Sequence, residues 1–210
     1  PGGPSNLSVM VTSVPWPKDG EVLIKVHAAG INGADLRERE GKYPVPAGAP
    51  DIMGLEVAGE VIVVGKSCKR FKPGDFVCAL LIGGGYAEYA IAPEGQCMTI
   101  PDGVSVVDAA GLPEVFCTVW TNMMDRCQLK SGETVLIQGG TSGIGFAAIK
   151  VAKAFGAKVF ATARNKEKCD AIRRFGADWA INYTAEDFSE VVQGITNGGG
   201  VDVIIDIIGG

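Results

Sequence analysis

Apolar and polar positions alternate in short runs over residues 22–28, 56–64, 76–81, 86–91 and 98–100. A period of two sets one face of each run against a core, so these runs predict strands. Between them stand Pro44, Pro46, Pro50, Pro73-Gly74, Gly83-Gly84-Gly85 and Pro101-Asp102-Gly103. A short helical pattern covers residues 35–40. Short strands broken this often predict a small, partly closed β-barrel over residues 1–115. The texture changes after Asp108. A helical pattern spans 109–129, then uniformly apolar strands (134–138, 158–162, 179–181, 201–206) alternate with helices (146–155, 166–175, 185–194). Strands apolar on both faces, separated by helices and short loops, predict a parallel, doubly wound sheet over residues 116–210. The fold class expected is therefore α/β, a β domain followed by a dinucleotide-type sheet. The domain boundary falls within 111–122.

Composition narrows the field. Hydrophobic residues make up 47% of the 210, enough for a core rather than disorder. A net charge of −5 argues against a nucleic-acid partner, which needs a basic face. No apolar run approaches the ~18 residues of a membrane span. No two of the six cysteines are close enough for zinc-knuckle or C-x-x-C chemistry, and His27 is the only histidine. Cys78, Cys97 and Cys117 have apolar neighbours and read as small buried hydrophobes. Reduced thiols and a turn-forming start at Pro1-Gly2-Gly3-Pro4 predict a cytoplasmic protein. An organelle protein with its targeting segment removed fits the same facts.

The 30 glycines are about twice the usual share, and one cluster carries chemistry. In VLIQGGTSGIGFAAIKVAKAFGAKVFATAR (135–164) a buried strand runs into glycines that open a helix. Phosphate must approach bare backbone N–H groups at such a helix start, where a Cβ would obstruct it. The fingerprint reads Gly140, Ser142, Gly145, with Gly143 and Ile144 between. Ser142 replaces the middle glycine, and its hydroxyl is a candidate donor to a pyrophosphate. A tight turn needed only for packing is the bland alternative. NAD-binding folds place an acid about 20 residues on, at the end of the next strand. Here Ala163 and Arg164 stand there, followed by Asn165, Lys166 and Lys168. A guanidinium with amines nearby suits a 2′-phosphate, so NADP(H) is the expected cofactor. A short-chain reductase shares the glycine pattern but needs Tyr-x-x-x-Lys, and no tyrosine here has Lys four residues on.

Five further stretches join the glycine loop: AAGINGADLREREGKYPVPAG (28–48), GLEVAGEV (54–61), GDFVCALLIGGGYAEYA (74–90), LPEVFCTVW (112–120) and VDVIIDIIGG (201–210). With these the chain resembles the zinc-independent quinone oxidoreductases of the medium-chain dehydrogenase/reductase superfamily, in particular the p53-inducible type. The resemblance implies a GroES-like domain and a Rossmann domain with the active site in the cleft between them. Zinc-dependent relatives carry Cys where this chain has Asn32 and His where it has Leu55, so a metal-free enzyme is implied. The resemblance places Asn32, Asp35 and Tyr43 at the substrate, with Glu56 orienting its neighbours. It places Thr118 at the nicotinamide, Lys168 and Tyr183 near the adenosine phosphate, and Gly209 and Gly210 in a loop over the cofactor. An Asx turn, a helix cap and a ring at a loop base are the structural alternatives for Asn32, Asp35 and Tyr43. The run from Gly83 to Ala90 reads as structure rather than catalysis.

The expected activity is NADPH-dependent reduction of a quinone, an acceptor that becomes aromatic on taking hydride. An enoyl or alkenal reductase, and an inactive product that only binds cofactor, remain alternatives. A Rossmann sheet has six strands, and four are counted here. The chain therefore reads as a fragment that binds NADPH weakly and turns over little, taken from an active, homodimeric full-length protein.

Overall fold

A computed structural model describes residues 1–209 as two compact units, Pro1–Glu114 and Val115–Gly210. The first is built on strands β1 (Glu21–Ala29), β2 (Glu56–Val64), β3 (Phe76–Leu80), β4 (Tyr89–Pro93) and β5 (Cys97–Thr99), with short helices α1 (Gly33–Arg39) and α2 (Val106–Ala109). The sheet is antiparallel, in the order β4-β1-β2-β3-β5. The β1–β2 pairing slips at Leu23/Ile24 and again at Val26/Ala28. Each slip adds a residue to one strand, which bends and twists it, so the sheet curls. Gly59 lies opposite Val26, and a Cβ there would collide with the Lys25 carbonyl, so only glycine admits this close pass. Val22, Ile24, Val57, Val61, Val77, Ala79 and Cys97 fill one side of the curl. On the other, Ala58 and Cys78 meet Ala109 and Ala110 at α2, small residues that let the helix lie close. Burial pushes the Cys97 thiol up to about 12, so it stays protonated. Cys78 is buried as expected, whereas Cys117 is only half-buried.

In the second unit, strands β6 (Thr134–Ile137), β7 (Lys158–Ala163), β8 (Trp179–Asn182) and β9 (Val203–Ile205) pair in parallel in the order β8-β7-β6-β9. Period two sorts their side chains: Val135, Ile137, Val159, Ala161 and Val203 meet α4 (Gly143–Ala154) and α5 (Lys166–Phe175) on one face. Leu136, Phe160 and Ile181 meet α6 (Phe188–Ile195) on the other. Helix α6 carries the chain from the β8 edge back to β9 beside β6, which makes the sheet doubly wound and sets a topological switch point at β6/β9.

Several boundaries differ from expectation, each for a local reason. The pattern over 109–129 is not one helix: Pro113 starts a new one, α3 (Pro113–Val119), which continues as a wider π-turn segment, Trp120–Arg126. Helix α4 begins at Gly143 rather than at 146, because Ser142 caps it. Helix α6 begins after Asp187, whose carboxylate accepts the N–H groups of Ser189 and Glu190. Strand β4 starts at Tyr89 rather than 86, since Gly83 and Gly84 adopt positive φ and hold the preceding residues in a loop. The closing Gly210 lies outside the described residues.

Phe160 is fully buried and stacks on Trp179 with ring centroids 4.3 Å apart. Truncating it leaves a cavity the parallel strands cannot close. Phe160→Ala is expected to lower the unfolding free energy by about 3–5 kcal/mol in urea titrations. A loss below about 1 kcal/mol would show that this side of the sheet is not packed as described.

Candidate functional site

The second unit presents its chemistry at the carboxyl ends of its strands. After β6 the chain turns through Gly139, at φ +71, and enters α4. Thr162 at the end of β7 fixes this turn: its hydroxyl accepts Gly139 N–H at 3.2 Å and its carbonyl accepts Gly140 N–H at 3.0 Å. A Cβ on Gly140 would press on Ile172 of α5 at 2.8 Å, and one on Gly145 would strike the Gly139 and Gly140 backbone. These two glycines let helix and loop close on the sheet. The Ser142 hydroxyl accepts Gly145 N–H at 3.0 Å and donates to the Gly139 carbonyl at 2.9 Å. In this structure Ser142 thus acts as the helix cap of α4. The first-turn N–H groups of Gly143 and Ile144 have no acceptor within the helix and lie where an anion is favoured.

Ala163 is buried at the end of β7, and Arg164 follows it, exposed. Asn165 caps α5 by accepting Lys168 N–H at 2.9 Å. Lys166 is exposed and pairs with Asp170 at 2.8 Å at the surface. Arg164 and Lys168 have no ion-pair partner among the described residues. The Arg164 carbonyl accepts the Thr184 hydroxyl and the Ala163 carbonyl accepts Tyr183 N–H, which brings exposed Tyr183 beside them. Thr118 lies apart from this basic group. It shares a cavity of about 270 Å³ with Ile144 at the start of α4 and with Asp206 and Ile207 after β9. Gly209, at φ +69, follows that segment.

In the first unit a buried polar knot surrounds the turn between β1 and α1. Asn32 occupies the cap position of α1, and its N–H donates to the Asp35 carboxylate at 2.6 Å. Its side-chain amide donates to Glu56 Oε1 at 2.8 Å. Glu56 Oε2 accepts the backbone N–H of Glu114 at 2.9 Å. Asp35 and Glu56 are each only 2% exposed, and Asp35 Oδ1 is buried with no hydrogen-bond partner. A Cβ on Gly30 would collide with the Glu56 carboxylate, so glycine is what admits the carboxylate there. Burial raises the Glu56 carboxyl above the usual glutamate range, against its two hydrogen bonds, and the nearby Asp35 adds to the rise. Burial likewise raises Glu114, beside Glu56 and Asp35, and Glu38, beside Asp35.

The knot unites Asn32, Asp35 and Glu56 and adds one residue the sequence left to structure. Tyr86 donates to the Gly30 carbonyl at 3.3 Å, and burial with the Asp35 carboxylate raises its phenol well above the usual tyrosine value. Tyr43, half-buried in the loop after α1, makes no hydrogen bond within the knot. Leu55 is a core residue, and among the described residues no three His, Cys, Asp or Glu side chains gather as a metal site. The donor set does not fit zinc.

Two family models match in sequence order, an "Alcohol dehydrogenase GroES-like domain" over residues 18–102 and a "Zinc-binding dehydrogenase" over 143–210. The quinone oxidoreductase of Sus scrofa is 34% identical over 209 residues, 99% of this chain and 64% of that protein. The chain belongs to the quinone oxidoreductase family of the medium-chain dehydrogenases/reductases. A quinone oxidoreductase from Pseudomonas syringae superposes with a TM-score of 0.87 at 33% identity, covering 100% of this chain and 64% of that one. The Escherichia coli quinone oxidoreductase complexed with NADPH gives 0.86 at 31%, with the same coverage. The CurK enoyl reductase gives 0.84 at 29%, covering 98% and 64%. The chain thus spans about two-thirds of the length of these relatives. Its fold is a GroES-like β domain followed by part of a Rossmann sheet.

The raised carboxyl of Glu56 has a thermodynamic consequence. A carboxyl raised in the fold binds its proton more tightly there than in the unfolded chain. Its contribution to stability is full below the ordinary value of 4.5 and fades as pH rises through the folded value. Between about pH 4.5 and pH 7.5, the wild type should therefore lose more stability than Glu56→Gln in urea titrations. Identical pH slopes for the two proteins would contradict the assignment.

Proposed function

We propose that the chain is the cofactor- and acceptor-handling part of an NADPH-dependent quinone oxidoreductase that works without a metal. The observation that carries this reading is the glycine turn at the carboxyl end of β6, with unpaired Arg164 and Lys168 after β7 and no carboxylate between 158 and 166. When bound, a reduced nicotinamide supplies hydride. The residues of the chain bind and orient. The first turn of α4 faces the pyrophosphate, Arg164 and Lys168 face a 2′-phosphate, Tyr183 lies against the adenosine end, and Thr118 and Gly209 line the path of the nicotinamide half.

On the acceptor side, we assign Asn32 and Asp35 to the site, with Tyr43 reaching it from the loop after α1. Glu56 is a positioning residue: it fixes the Asn32 amide and ties it to the backbone at Glu114. A quinone needs little polarisation, because reduction makes an aromatic ring, so holding donor and acceptor in contact supplies most of what is required. The likeness to CurK enoyl reductase favours a second reading, hydride addition β to a carbonyl in an enone. Comparing turnover of quinones with that of α,β-unsaturated ketones separates the two. We further place the protein in the cytosol, as a homodimer in its full-length form; no helix of the described residues is long and apolar enough to cross a membrane.

Arg164→Ala should lower the preference for NADPH over NADH about tenfold or more, the value of one charge-assisted contact to phosphate. The ratio of kcat/KM for the two cofactors measures it. A preference that survives the substitution would contradict the phosphate assignment.

A further inference from the structure

Tyr86 sits in a seat that the glycines around it build. Gly54, at φ +104, lies directly beneath it: a Cβ there would approach Tyr86 N at 2.6 Å and the ring carbon Cδ1 at 2.8 Å. Gly85 N–H donates to the Gly54 carbonyl at 3.0 Å, and Tyr86 N–H to the Met53 carbonyl at 2.9 Å. The run Gly83-Gly84-Gly85 thus does more than turn the chain. It lays the Tyr86 backbone on Gly54 and fixes where the ring can go.

The phenol ends at the polar knot. It reaches the Gly30 carbonyl, two residues before Asn32, and interacts with the buried carboxylate of Asp35. Its bond to Gly30 is 3.3 Å, long for an O–H donor, so a better acceptor can receive the hydrogen bond instead. Among the described residues Asp35 Oδ1 is buried without a geometric hydrogen-bond partner, in the carboxylate with which the phenol interacts. Tyr86 is 39% exposed, so the residue is not sealed inside the unit.

We propose that Tyr86 donates a hydrogen bond to the acceptor oxygen on which negative charge develops as the quinone takes hydride. The inference rests on the quinone reading above and adds to it the group that meets the charge. Two electrons and one proton pass as hydride from NADPH, which is oxidised, to the quinone, which is reduced. The resulting hydroquinone anion takes its second proton from water, and Tyr86 keeps its own. A phenol held neutral by burial first, and then by Asp35 with Glu56 and Glu38 nearby, is suited to this, because it remains a donor throughout the neutral range.

The test is Tyr86→Phe in the full chain, which keeps the ring on Gly54 and removes only the hydroxyl. Three quantities are read: kcat with a graded series of quinones, KM for NADPH, and the thermal midpoint. The expected result is a kcat about tenfold lower, deeper for weakly oxidising quinones than for strong ones, with KM for NADPH and the thermal midpoint unchanged. A purely structural tyrosine would not give a loss graded by acceptor strength. Unchanged kcat, or a loss accompanied by a collapse of the thermal midpoint, would overturn the proposal while leaving the quinone reading in place. A full-length wild-type protein that binds NADPH yet reduces none of the quinones would overturn both.

Discussion

The second unit depends on backbone approaching backbone without a Cβ between. Gly140 and Gly145 allow α4 and its entry loop to press against β6, β7 and α5, and Thr162 holds the turn from below. Once that approach is made, two consequences follow together. The apolar side chains of α4 seal one face of the sheet, and its first-turn N–H groups open outward at the strand ends. Packing and phosphate recognition are therefore not rival explanations of the same glycines. Gly140 and Gly145 serve packing directly, and in the proposed function they serve binding through the helix they position.

The first unit solves a different problem, the burial of charge. Asp35 and Glu56 are among the few polar side chains in its interior, and each buried charge would be costly unless hydrogen-bonded. Asn32 and the Glu114 backbone satisfy Glu56, and the Asn32 backbone satisfies one oxygen of Asp35. The remaining Asp35 oxygen is left unsatisfied beside a phenol, a configuration that packing alone does not demand. Such a knot is rigid where it is paired and chemically available where it is not.

The strands and the alternation of helix and sheet were legible because period-two and fully apolar runs report burial directly. The proposal of NADP(H) also starts from the chain, since the lack of an acid between 158 and 166 is visible without coordinates. What was hidden involves choices between local partners. Ser142 looked available to a ligand, but its hydroxyl caps α4 and bonds Gly139. Lys166 counted among the amines near Arg164, and its surface pairing with Asp170 one turn later was not read from the spacing. Tyr86 looked like part of a glycine-rich loop, because its neighbours Gly30 and Asp35 are more than fifty residues away in sequence. A capping serine just before a helical run, an acid four residues after a lysine, and three glycines leading to an aromatic were the available signals.

The central claim is that this chain recognises NADPH through the loop after β6 and the basic pair after β7. The most direct measurement is the dissociation constant of the 210-residue chain for NADPH and for NADH, by titration of nicotinamide fluorescence at fixed ionic strength. The account predicts that NADPH binds about tenfold more tightly or better, with the advantage shrinking as salt screens the phosphate contacts. Equal affinities, or tighter binding of NADH, would contradict it.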